Sequence, residues 1–186
     1  MTKQGREHAL AVLHEHNQSD SLRSHALAVE AVMRHMARLW GEDEDYWAEV
    51  GLLHDVDYEK YPQEHLQHAP AMLQAAGYDQ EFIRAVLCHG WTICTDVEPQ
   101  LKMEKALFAA DELTGLITAA AYMRPSKSVS DMEVSSVKKK FKDKRFAAGV
   151  DRQIIVNGCD MLGLTLEELI GLCIAGMREN AAEMGL

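Results

Sequence analysis

The chain carries His25, the adjacent pair His54-Asp55, then His68, His89 and Asp111, four imidazoles and two carboxylates spread over segments of helical pattern. Residues this far apart in sequence meet only where a fold gathers several helices about one point, as at metal sites inside helical bundles. Imidazole and carboxylate together suit a divalent transition-metal ion. Mn, Fe, Co, Ni or Zn fit this set better than Mg, which prefers oxygen ligands and retained water. At an open coordination position such an ion activates water near neutral pH.

The elements that carry these residues explain why something must compensate them. His54-Asp55 closes the run Trp47-Ala48-Glu49-Val50-Gly51-Leu52-Leu53, apolar around most of its circumference. An ionised Asp and an imidazole carried into such surroundings are costly unless a cation or hydrogen-bond partners offset them. From Asp20 to Trp40 the pattern is an amphipathic helix whose inward stripe includes Val29, Val32 and Met36, and His25 lies on that stripe, four residues before Val29. Leu101 to Ala121 forms a second long helix, with Leu107 and Phe108 one turn before Asp111, so Asp111 faces the core. A single buried histidine is ordinarily a hydrogen-bonded packing residue. Several histidines and two carboxylates facing one core are more simply explained by a shared metal.

Helices are predicted at about 3–16, 20–40, 43–54, 65–76, 79–89, 101–121, 132–142, 147–161 and 165–183, an all-α architecture with no alternating run to suggest a sheet. The apolar stripes stop at Gly41, Pro62, Gly77, Gly90, Pro99, Pro125, Gly149 and Gly163. In this map His65 and His68 share one face of the fourth helix, and His89 ends the fifth, in register with Phe82 and Val86. His65 is expected to be exposed or to support a ligand from behind. His8, His14, His16 and His35 are assigned to the surface or to packing.

With 186 residues, 47% of them hydrophobic, the chain is expected to form one domain over 1–186, with a motif-bearing core at about 20–120 and C-terminal helices at about 130–186. No apolar run reaches the ~18 residues of a membrane span. The N-terminus from Met1 to His8 is polar and lacks a signal core. Cys88, Cys94, Cys159 and Cys173 form no Cys-x-x-Cys pair, so a reduced, cytoplasmic setting is expected. A net charge of −10 argues against duplex nucleic acid as a partner. The basic run from Lys138 to Arg145 is either a solvated face or an element that steers an anionic substrate.

In order and context, His25, His54-Asp55 and Asp111 resemble the HD superfamily of metal-dependent phosphohydrolases, over roughly residues 20 to 120. The resemblance implies an all-α bundle with a core metal held by His25, His54, Asp55 and Asp111. It further matches the extended six-ligand pattern of the binuclear branch, in which His68 and His89 would hold a second ion and Asp55 would bridge the two. Tyr58 stands where many binuclear members carry a Lys, and Gly90 where some carry another His. Asp57 and Lys60 are the nearest substitutes for phosphate contact, beside His54 and Asp55 at the reacting centre. The implied activity is metal-dependent hydrolysis of a small anionic phosphoester or nucleotide-like substrate. The same six positions also resemble the ligand order of HD-type mixed-valent diiron oxygenases. A third alternative is a regulatory module that binds metal or nucleotide without turnover.

Overall fold

The structure, a computed structural model, describes residues 3–186; Met1 and Thr2, which begin the polar N-terminal stretch, lie outside them. In chain order the described helices are α1 (Arg6–His16), α2 (Asp20–Trp40), α3 (Glu44–Leu53), α4 (Ala69–Ala75), α5 (Gln80–Leu87), α6 (Lys102–Tyr122), α7 (Val134–Lys142), α8 (Arg152–Leu162), α9 (Leu166–Glu179) and α10 (Ala181–Met184). Among the described residues there is no strand, only an isolated bridge between Trp91 and Thr95. The all-α expectation holds.

Two long helices organise the rest. The stripe of α2 buries Val29, Val32, Met33 and Met36 completely, and the helix stops at Gly41, whose φ of 70° is the left-handed conformation that ends helices. Asp43 then accepts the N–H of Tyr46 and starts α3, in which every side chain from Tyr46 to Leu53 is buried. The middle of α6 is buried on nearly every face, through Ala106, Leu107, Ala110, Leu113, Leu116 and Ile117. A fully buried leucine of this kind contributes about 1.5–3 kcal/mol relative to an exposed one. The C-terminal helices close on this centre, α9 against α2 and α8 against α6. Glycine permits both approaches: a Cβ at Gly176 would stand 2.7 Å from Val32 Cα, and one at Gly158 2.4 Å from Ala109 Cβ.

Several boundaries differ from the predicted map, the largest of them for local reasons. The helix predicted over 65–76 begins only at Ala69, with Pro70 in its first turn, and residues 54–68 form successive turns with Leu66 at φ 66°. The helix predicted from 147 begins at Arg152, because Asp151 caps it through the N–H of Gln153 and Ala147 lies at φ 44°. The helix predicted over 165–183 breaks at Asn180, whose backbone leaves the helical region between α9 and α10. Finally, α5 tightens into a 3₁₀ turn over Cys88–Gly90.

Candidate metal centre

Four elements deliver the polar cluster. His25 comes from the first turns of α2, His54 and Asp55 from the end of α3, His89 from the 3₁₀ turn after α5, and Asp111 from the middle of α6. On one side of Asp55, His25 Nε2 lies 2.9 Å from Asp111 Oδ1 and 3.2 Å from His54 Nε2. His54 Nε2 is 3.3 Å from Asp111 Oδ1, and Asp55 Oδ2 is 3.4 Å from His54 Nε2 and 3.9 Å from His25 Nε2. On the other side, Asp55 Oδ1 is 3.3 Å from His65 Nε2 and 3.4 Å from His89 Nε2, and those two nitrogens are 3.2 Å apart. The two oxygens of Asp55 thus face two different donor sets.

The orientation of the rings indicates what these atoms lack. His54 Nδ1 donates to Gly51 O at 2.7 Å, His89 Nδ1 to Val86 O at 2.7 Å, and His65 Nδ1 to Asp57 Oδ1 at 2.9 Å. With Nδ1 bonded from behind, each ring turns Nε2 inward, and all three Nε2 atoms converge on Asp55. Two carboxylates and the imidazole nitrogens crowded on one point need positive charge among them, which a proton on His54 or a bound metal ion supplies. Fixing Nδ1 from behind is also how proteins orient metal-binding histidines. The donor atoms of His25, His54 and Asp55, of His54, His89 and Asp111, and of Asp55, His65 and His89 form three groups, each within the 4.8 Å span that one ion can satisfy. The residues present therefore fit divalent metal.

The second donor set departs from expectation. His65, not His68, faces Asp55. The left-handed turn at Leu66 separates the two: His65 points inward, while His68 points out, bonding Glu64 at 2.6 Å and stacking on Tyr61 at 3.7 Å between ring centroids. Asp57 holds this arrangement. Wholly buried, its Oδ1 takes the His65 ring and its Oδ2 the N–H groups of His68 and Ala69, starting α4. Asp57, expected as a catalytic contact, does not line the cavity over Asp55, and its carboxylate is committed behind His65. Gly90 is explained by the same turn, since a Cβ there would stand 2.5 Å from Leu66 Cδ1 and 2.7 Å from Cys94 Sγ. Pro70 was the available signal for the displaced helix start, as proline favours the first turn and breaks an interior.

Charge coupling inside the cluster is strong. Burial by itself disfavours the His54 imidazolium, but Asp55 and Asp111 outweigh it and hold its pKa well above the ordinary 6.5. Burial likewise raises Asp55, yet His54 and His89 pull it well below its ordinary value, and His54 and His25 do the same for Asp111. Glu112, next along α6, has its pKa pushed up to about 7 by burial and then by Asp111.

A cavity of about 340 Å³ opens over Asp55, reached by His25, His65, His89 and Asp111. Lys60, expected as a phosphate contact, is not on its wall: its Nζ lies 3.0 Å from His16 Nδ1. Lys138 pairs with Glu167, and Lys140 lies over the Phe146 ring. None of these expected anion-holding groups lines the cavity. Glu112 and Val150, which do, were not singled out from sequence.

No helix of the described residues is long and apolar enough to cross a membrane. Searches of curated proteins and of solved structures gave no match. The HD domain model matches residues 22–116, just over half of the chain, and spans His25, His54-Asp55, His65, His89 and Asp111. The chain belongs to the HD domain family.

Proposed function

We propose that the protein is a metal-dependent phosphohydrolase that cleaves a small phosphoester at a centre of two divalent transition-metal ions. The observation that carries this reading is the divided carboxylate of Asp55, with Oδ2 turned to His25 and His54 and Oδ1 to His65 and His89, at the floor of an open cavity. One ion would be held by His25, His54, Asp55 and Asp111, the other by Asp55, His65 and His89. When bound, such ions draw the pKa of water toward neutrality and stabilise charge on a phosphoryl oxygen.

The chain's own residues prepare that chemistry. Gly51 O, Val86 O and Asp57 accept the three Nδ1 protons, so that Nε2 is the atom that His54, His89 and His65 aim inward. The fully buried flank of His54 against α2 and α3 excludes water from one side. On the open side Tyr58 sets its ring edge-on to His65, 5.0 Å between centroids, and limits the sideways travel of that ring. The hydrolytic assignment draws on membership of the HD family, whose members are typically metal-dependent phosphohydrolases. The whole chain is taken as one HD-type domain; in support, one core cluster includes residues from Ala9 to Met184.

The test is metal-dependent turnover. Protein stripped with chelator should not hydrolyse p-nitrophenyl phosphate or bis(p-nitrophenyl) phosphate, and Mn²⁺, Co²⁺ or Ni²⁺ should restore hydrolysis of at least one. Metal-loaded protein that consumes oxygen and cleaves no phosphoester would replace this reading with the diiron oxygenase.

A further inference from the structure

The cavity over Asp55 is built unlike a polyphosphate site. Among the described residues no Lys or Arg lines it. Its upper wall instead carries the carboxylate of Glu112 and the apolar surfaces of Tyr58, Ile93 and Val150. Glu112 Oε2 accepts the N–H of Asp151 at 3.2 Å, which anchors the carboxylate to the wall. That is its one hydrogen bond among the described residues, whereas a carboxylate offers about four acceptor sites. One turn along α6, a Cβ at Gly115 would meet nothing within 4 Å, so the space continues beside Glu112. At the mouth, Ile93 is 60% and Tyr58 40% exposed, apolar surface left in water unless something rests on it.

We propose that this cavity takes a compound with a single phosphoryl group, seated over Asp55, whose organic body is neutral or cationic, rests on Tyr58 and Ile93, and donates a hydrogen bond to Glu112. The phosphoryl end rests on the metal-centre reading above; the rest follows from the wall. Each further phosphate of a nucleoside triphosphate would approach Glu112 with no ammonium or guanidinium to offset it. An ammonium or hydroxyl on the body meets an anchored carboxylate instead, as a charge-assisted or ordinary hydrogen bond.

The experiment is calorimetric titration of Mn²⁺-loaded protein with three unreactive probes: phenylphosphonate, 4-(aminomethyl)phenylphosphonate and a methylene-bridged nucleoside triphosphate. The aminomethyl compound should bind about tenfold more tightly than phenylphosphonate, and the triphosphate about tenfold more weakly, as expected for one gained and one denied charge-assisted contact. In Glu112→Gln and Glu112→Ala, each checked for an intact melting transition, the two phosphonates should bind within about twofold of one another. A triphosphate that binds as tightly as phenylphosphonate, phosphonates that do not bind, or an aminomethyl preference that is missing or survives both variants would overturn the proposal. Because binding is read without turnover, the order of affinities can hold while every ester resists hydrolysis, which would reject the hydrolase and keep the assignment of the wall. Ester hydrolysis with the order reversed would do the opposite.

Discussion

Removing the imidazole of His65 and removing that of His68 should have sharply different consequences, although the two residues are three apart and share one face of the predicted helix. His65→Ala takes a donor from the set around Asp55 Oδ1 and leaves buried Asp57 without the N–H that it accepts at 2.9 Å. A hydrogen bond to a charged group is worth about 1.5–3 kcal/mol. For a chain of this length each kcal/mol shifts Tm by about 2–4 °C, so metal-free His65→Ala should melt about 3–12 °C below metal-free wild type. His68 is 38% exposed and pairs with Glu64 at i,i+4, an arrangement worth about 0.5 kcal/mol, so metal-free His68→Ala should melt within about 2 °C of wild type. Metal content then separates the two positions again. After Mn²⁺ loading and desalting, elemental analysis should give about half the wild-type metal in His65→Ala and the full amount in His68→Ala, one of two donor sets being lost. Loss of metal from His68→Ala with retention in His65→Ala would refute the geometry and restore the ligand set expected from sequence.

Other outcomes follow from the same structure. Gly90→Ala should lose about 1–3 kcal/mol in urea unfolding, since its Cβ would meet Leu66 and Cys94; an unchanged midpoint would mean that the 66–68 turn yields freely. The stabilisation by Mn²⁺ should grow from pH 5.5 to pH 8. The raised pKa of His54 gives the metal-free protein stability that is complete below about 6.5 and is lost as pH rises through the folded value, whereas the depressed pKa values of Asp55 and Asp111 give stability present above about 3.8 and lost only as pH falls through theirs. Metal must displace the His54 proton, so a melting-temperature gain that is flat or shrinks with pH would contradict this coupling. Arg152→Met should open the 143–151 loop to limited proteolysis and raise KM more than it lowers kcat. The Arg152 guanidinium donates to the carbonyls of Phe141, Asp143, Phe146, Ala147 and Val150, and Val150 walls the cavity; unaltered cleavage would show that the loop holds without it.

Much of this was legible in the residues. The stripes of α2 and α6 and the apolar run of α3 carry their own period, so the inward direction of His25, His54 and Asp111 could be read from spacing alone. What sequence did not supply lay in the turns. Between His54 and Ala69 the path depends on Asp57 accepting three donors and on a leucine held in the left-handed region, contacts that no periodicity records. Periodicity and the family resemblance alone therefore leave His65 exposed or in support and make His68 the ligand, although Pro70 marks the start of α4. Similarly, Gly149 and Asp151 argued against a helix from 147, and only the folded loop reveals that Val150 reaches the cavity. The distant partners of the basic residues, such as His16 for Lys60 and Glu167 for Lys138, depend on tertiary packing.

In the proposed centre Asp55 would divide its carboxylate between two ions. Anomalous diffraction at the Mn absorption edge, from crystals of protein loaded with Mn²⁺, tests it most directly. Two peaks flanking Asp55 are expected, one within coordination distance of His25, His54 and Asp111, the other of His65 and His89. A single peak with His65 unengaged, or a second ion held by His68, would contradict it.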